Sequence, residues 1–371
     1  MSSRNLSRIA RSLTLVALSS LAGVSLADDN PLKDWSFSGL YDTYYQYNFN
    51  QPVSGAPGIG TNGHQFDVAN NQFSLAVLQL NLTKKATDAN PFAFTANLWI
   101  GKDADLVSGN SDKLVQQAYV TYVTKSGVTL DFGKFLTWIG YESVGSADND
   151  QYSRSFLFTD GQPIYHMGLR ATKQATKAIS VSGYLVNGWN ETDDANASKS
   201  YGATAAITVT PKLSATLNYY GGNEGGTGNG FNAGSTLVTN VNMLDAIATF
   251  TPNDKLKFAV NADYTSAKGV TAGDAAASGH FSGIALYARD QINAKYAVAL
   301  RGETFSDPDG LRGTGGARLS SITGNIDVAG PGTALFRLEV RYDKSNMNSF
   351  PDGGKGSDNQ TLVTLSHVLK F

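Results

Sequence analysis

Four histidines, His64, His166, His280 and His367, and no cysteine make up the chain's supply of imidazole and thiol. No two of them stand at the H-x-x-x-H or H-E-x-x-H spacing that sets two imidazoles on one helix face, so neither a metal centre nor a cofactor site is expected. The missing thiol excludes disulfides, thiol catalysis and cysteine-ligated metal clusters. A Ser–His pair is recognised by geometry rather than spacing, so His166 beside a serine of a neighbouring strand stays open as the seed of a lipid hydrolase. No G-x-S-x-G elbow is present. Gly221-Gly222-Asn223-Glu224-Gly225-Gly226 lacks the lysine and following helix of a phosphate loop and reads as a flexible connection. A net charge of −2 offers no footprint for nucleic acid.

The remaining chemistry lies in charged residues that alternate with apolar ones. Arg337, Glu339, Arg341 and Asp343 alternate with Phe336, Leu338, Val340 and Tyr342; Arg301 and Glu303 stand against Val298 and Leu300. Lys257, Asn261 and Asp263 oppose Phe258, Val260 and Tyr264. A period of two places each set on its own face of a strand. The same alternation opens at Trp35 and recurs, which predicts sixteen strands: 35–49, 72–83, 92–100, 114–123, 128–135, 164–172, 179–189, 200–210, 213–220, 238–251, 255–265, 280–290, 296–305, 320–328, 333–343 and 361–371.

Connections sort by length. Each one after an odd-numbered strand has ten residues or more, and each one after an even-numbered strand eight or fewer. The short ones carry Thr210-Pro211-Lys212, Thr251-Pro252-Asn253-Asp254 and Gly330-Pro331-Gly332. Sorted connections and an even strand count predict an all-β fold, a transmembrane antiparallel up-and-down β-barrel with short periplasmic turns and long extracellular loops. A charge on the lipid face costs about 2–4 kcal/mol at the midplane, so the charged faces belong to the lumen. About sixteen strands leave a lumen too wide for side chains to fill, hence a water channel.

The N-terminus reads as an export leader. Arg4, Arg8 and Arg11 precede the apolar Leu13–Leu26, and Ser25-Leu26-Ala27 is a small-x-small cleavage site. Residues 1–27 are expected to be removed, leaving 28–371 as a single barrel domain.

The opening Phe37-Ser38-Gly39-Leu40-Tyr41-Asp42-Thr43-Tyr44-Tyr45 resembles the start of the β-barrel porin-2 (OmpL-like) family of bacterial outer-membrane porins. So do Gly133-Lys134-Phe135, Gly140-Tyr141-Glu142, Tyr152-Ser153-Arg154-Ser155 and Pro163-Ile164-Tyr165-His166-Met167-Gly168-Leu169-Arg170. The resemblance covers essentially all of the chain after the leader. It implies a bacterial outer-membrane channel in contact with lipid and lipopolysaccharide, and says little about the solute. The last strand ends in Phe371, like the signal read by the outer-membrane assembly machinery. General porins suggest a homotrimer by analogy.

The longest connection, 136–163, is the candidate constriction, since general sixteen-stranded porins fold the corresponding loop into the pore. It carries Glu142, Asp148, Asp150 and Asp160 against Arg154 alone. The wall opposite would hold Arg301, Arg337 and Arg341, so that an acidic loop facing a basic wall sets a field across the pore. The alternative is that Arg301 pairs with Glu303 and Arg337 with Glu339, merely hydrating the wall. Inward charges on the clearer strands are six basic (Arg170, Lys257, Arg289, Arg301, Arg337, Arg341) and five acidic (Asp42, Asp245, Asp263, Glu303, Glu339). With the loop's acids they predict weak cation preference. Expected function is passive diffusion of small hydrophilic solutes; a non-conducting barrel for adhesion or envelope structure is the alternative, and the hydrolase a third.

Overall fold

The computed structural model describes residues 32–52, 63–66, 68–107, 112–225, 237–270 and 276–371, so the expected leader lies outside the described residues. Two compact units divide the chain, Met1–Ser36 and Phe37–Phe371, and the second is the barrel. Its strands are β1 (Trp35–Asn48), β2 (Gln72–Lys84), β3 (Phe92–Ile100), β4 (Val115–Val123), β5 (Val128–Leu136), β6 (Tyr165–Gln174), β7 (Ile179–Val186) and β8 (Ser200–Thr210). They continue as β9 (Leu213–Gly222), β10 (Leu237–Phe250), β11 (Leu256–Val270), β12 (Ala276–Asp290), β13 (Tyr296–Ser306), β14 (Arg318–Ala329), β15 (Ala334–Ser345) and β18 (Asn359–Lys370). A short hairpin, β16 (Phe350–Asp352) and β17 (Lys355–Ser357), stands outside the wall, and one helix, α1 (Lys102–Val107), follows β3. Each wall strand pairs antiparallel with its neighbours, and β1 closes on β18 to make a sixteen-stranded barrel.

The alternation decides which side chains meet which medium. From Phe336 to Asp343 of β15 the exposed residues are Phe336, Leu338, Val340 and Tyr342, and the buried ones Arg337, Glu339, Arg341 and Asp343, with the exposed Lys344 following at the loop end. The outer wall is thus apolar and the inner wall polar, the arrangement of a barrel standing in hydrocarbon. Turns follow from local chemistry. Gly127 adopts a φ of 76° in the turn after β4, a left-handed conformation that costs glycine nothing. Closure runs to the last residue: Gly39 and Phe371 exchange N–H···O bonds of 2.6 and 2.9 Å.

All sixteen expected strands are present. Several differ in extent: β11 runs to Val270 and β12 begins at Ala276, because Ser266 and Lys268 pair with His280 and Ser278 on a polar outer rim where alternation carries no apolar signal. α1 and the β16–β17 hairpin fall in stretches expected to be irregular; six-residue and three-residue elements are too short to show a period.

Long connections gather at one end, and several fold inward. There Phe156, Leu157, Trp189, Tyr220, Phe281, Phe305 and Phe350 form an apolar cluster inside the mouth, each no more than 2% exposed. Among the described residues the barrel interior is therefore densest at the loop end and more open at the turn end.

Candidate constriction within the barrel

The segment between β5 and β6, residues 137–164, lies inside the barrel, and many of its residues are buried by protein, so their backbone groups need partners there. Wall side chains supply them. Asp245 of β10 accepts from the Gly140 N–H at 3.3 Å, and Asn261 of β11 from the Tyr141 N–H at 2.9 Å. Glu339 of β15 accepts from the N–H groups of Tyr152 and Ser153 at 2.6 and 3.1 Å, and Glu303 of β13 from that of Phe156 at 2.7 Å. Asp42 of β1 takes the Ser146 hydroxyl and, at 3.3 Å, the Tyr152 hydroxyl. Arg337 donates to the carbonyls of Ser146 and Asn149 at 3.2 and 3.1 Å. Gln162 donates to Asn261 and Asp263 at 3.0 and 2.8 Å. The segment thus reaches across the lumen from β5 and β6 and is fastened to the arc of wall that runs from β10 through β11, β13 and β15 to β1.

Its charges meet the wall directly. Arg301 Nη1 lies 2.8 Å from Glu142 Oε1 and Arg301 Nε 3.3 Å from Glu303 Oε1, all three side chains buried. Asp150 pairs with Lys257 at 2.7 Å and Asp148 with Lys370 at 2.8 Å. Arg154 lies 3.7 Å from Asp103 of α1, with its guanidinium 4.3 Å from the Phe66 ring centroid. The expected open field between an acidic loop and a basic wall is therefore replaced by contact pairs. The reason is reach: side chains entering from both sides leave no water gap at Glu142. Of the alternative pairs, Arg301–Glu303 forms, whereas Arg337 turns from Glu339 to Asp327 at 2.6 Å because Glu339 holds the loop backbone.

Three expected wall residues pair with acids of the wall itself. Arg341 binds Asp343 at 3.0 Å, Arg289 binds Asp327 at 2.7 Å, and Arg170 binds Asp131 at 2.7 Å. Asp131 and Asp327 thus join the inward acids, and Asp343, already placed on the charged face of its strand, belongs with them, making eight against the six bases; all three occupy inward positions of the alternation, the signal by which Asp131 and Asp327 could have been found. Asn261, placed on the inward face of its strand but given no role there, and His64, expected to have none, also hold the segment. His64 Nδ1 sits 2.8 Å from the Arg154 carbonyl and its Nε2 3.3 Å from Asp343, joining the first long loop to the segment.

Asp160 closes the loop-end side of the segment. Burial pushes its carboxyl up to about 7, with Asp307 adding to the effect and Arg312 opposing it. Arg312 donates to the Asp160 backbone carbonyl, and its guanidinium stands 5.3 Å from the Trp189 ring centroid.

Among the described residues, hollows lie at the turn end. One, of about 270 Å³, lies between the Asp148–Lys370 pair and the amides of Gln79, Asn81, Asn97 and Gln116. Another, of about 370 Å³, lies against β3–β7 around Asp131 and Arg170. Both border the β2–β7 arc of the wall, where Asp131 and Arg170 are the inward charges and are paired with each other.

Solved structures share this architecture at low identity. An anion-selective porin from Comamonas acidovorans aligns with a TM-score of 0.60 and 11% identity, over 91% of this chain and 99% of that one. The outer membrane channel DcaP of Acinetobacter baumannii aligns at 0.58 and 10%, over 90% and 97%. Salmonella typhi OmpF, in complex with daunomycin, aligns at 0.58 and 12%, over 90% and 97%. No curated protein matches the sequence. The family model described as putative beta-barrel porin-2, OmpL-like, matches residues 34–371, and the chain, an outer-membrane porin-type barrel by sequence and by fold, belongs to that family.

Proposed function

We propose that the protein is a diffusion porin that passes small hydrophilic solutes between its inward segment and the β2–β7 arc of the wall. The observation that carries this reading is the crossing of a sixteen-stranded barrel by residues 137–164, which narrows the lumen while leaving hollows on one side. Eight inward acids against six bases, with the loop's surplus of acids, favour weak cation preference. A homotrimer fits the fold, since a trimer form of Vibrio cholerae OmpT is among the similar structures. The outer wall would meet outer-membrane lipid and lipopolysaccharide, and the last strand through Phe371 would be handed over by the assembly machinery.

Conductance of refolded 28–371 in a planar bilayer tests the reading: stable ohmic steps are expected, and folded protein without steps would sink it. One observation favours a second reading. The apolar cluster of Phe156, Leu157, Trp189, Phe281, Phe305 and Phe350 fills the loop-end mouth, as a non-conducting barrel for adhesion or envelope structure would require. Absence of current from folded protein would favour that one.

A further inference from the structure

We infer that the hollow around Arg170 is a binding subsite for neutral polyhydroxylated solutes, of mono- or disaccharide size. The inference rests on the diffusion-porin reading for its role and on the side chains themselves for its chemistry. Strand register builds the hollow: Thr121 faces Asp131, Asp131 faces Arg170 and Arg170 faces Tyr184, across β4 to β7. The next row toward the turns sets Thr129 beside Thr172 and Thr172 beside Ser182. At about 370 Å³ the space falls in the range of small-molecule sites, roughly 300–1,000 Å³.

Charge excludes an ionic ligand. Arg170 gives its Nε to Asp131 Oδ2 at 2.7 Å, so the guanidinium is already neutralised and a carboxylate would meet Asp131 as well. What remains is a set of short-range donors and acceptors. The terminal nitrogens of Arg170 have no hydrogen bond among the described residues, and its side chain is 25% exposed. Neither the Thr95 nor the Thr129 hydroxyl has a partner among the described residues, and both line the space. An Arg–Asp pair presents donors and acceptors side by side, the pattern that adjacent hydroxyls of a sugar can match. Rings complete the site. The guanidinium is held 5.0 and 5.5 Å from the centroids of Phe135 and Tyr119, which fixes its plane. Tyr119 and Tyr184 line the space, and the Tyr119 ring, the less buried of the two, offers apolar surface to the C–H faces of a pyranose.

Trp138 supplies a readout, since its ring stacks on Tyr184 at 3.8 Å and 11°. Full-length mature protein folded in detergent is titrated with maltose while tryptophan fluorescence is followed, and the same protein is recorded in planar bilayers with maltose added. Saturable quenching and maltose-dependent interruptions of current are expected. Arg170→Ala should weaken binding on the order of tenfold or more, the scale of a lost charge-assisted hydrogen bond. T95V/T129V, which removes only unpartnered hydroxyls and keeps the shape, should weaken it several-fold and guards against misfolding of the first variant. Conducting channels with no quenching and no interruptions would overturn the subsite and leave the porin reading standing. Quenching by protein that carries no current would uphold the subsite and overturn the porin reading. Tighter binding of glucuronate than of maltose, or unchanged binding in T95V/T129V, would also overturn the inference.

Discussion

Arg301 is wedged between Glu142 of the inward segment and Glu303 of its own strand, with Glu339 of β15 also acting on it. A guanidinium so buried costs several kcal/mol to desolvate, and the two carboxylates repay that only while all three are present. Arg301→Ala is therefore expected to destabilise the folded barrel by about 3–5 kcal/mol, read as a lower urea midpoint for loss of the heat-modifiable band. E142Q/R301Q should cost less than the sum of its single changes, and strict additivity would show the pair uncoupled. Asp160 gives a pH dependence of known sign. Its pKa is raised in the fold, from 3.8 to about 7, so packing favours the protonated acid. The stabilisation is full below the ordinary carboxylate range and is lost as pH rises through about 7. The segment should thus hold more firmly at pH 5 than at pH 8, seen as quieter current at acid pH. Asp160→Asn, permanently uncharged, should behave at both pH values as the parent does at pH 5; a pH response as large as the parent's would refute this.

At the scale of elements, β5 shows how one backbone conformation serves both wall and hollow. Gly133 takes a φ of 141°, and a Cβ there would lie 2.3 Å from the Ala118 carbonyl oxygen and 2.7 Å from the Tyr119 Cα. These are backbone atoms, which cannot swing aside. Gly133→Ala should cost about 1–3 kcal/mol through strain and force β4 from β5, the strands that carry Tyr119 and Asp131. It should weaken maltose binding along with stability, and a normal thermal midpoint would show the close approach to be harmless. The segment 137–164 behaves differently from the wall strands. It owes its place to carboxylates and amides reaching from β1, β10, β11, β13 and β15, so loosening several of them at once should free it while the strands stay paired.

For the whole molecule, the balance of inward charge decides ion preference. Eight acids against six bases on the strands, with the segment's own acids, predict a reversal potential of cation sign in a salt gradient, shrinking at high salt as screening shortens the reach of charge. Clear anion preference would contradict it, and is the behaviour named for the Comamonas acidovorans porin of the same fold. Much of the preference should be muted, because Glu142, Asp148 and Asp150 are each spent on a basic partner.

Strand number, the facing of each side chain and the length-sorting of the connections were legible along the chain, because a period of two and a turn residue are local properties. Phe336 and Arg337 had to face opposite media whatever lay beside them, and Thr210-Pro211-Lys212 had to turn. Partnership was not legible in that way. Arg301 meets Glu142 across 159 positions and Arg337 meets the Ser146 carbonyl across 191. Those distances are bridged by barrel closure, strand register and the depth to which 137–164 descends. The alternation could say that Asp131, Arg170 and Tyr184 all face inward, and only the register of β5, β6 and β7 set them side by side. The inward charges were thus determined by the sequence, while the tertiary structure alone decided that most of them would be spent on one another, since pairing depends on contact and contact on the closed wall.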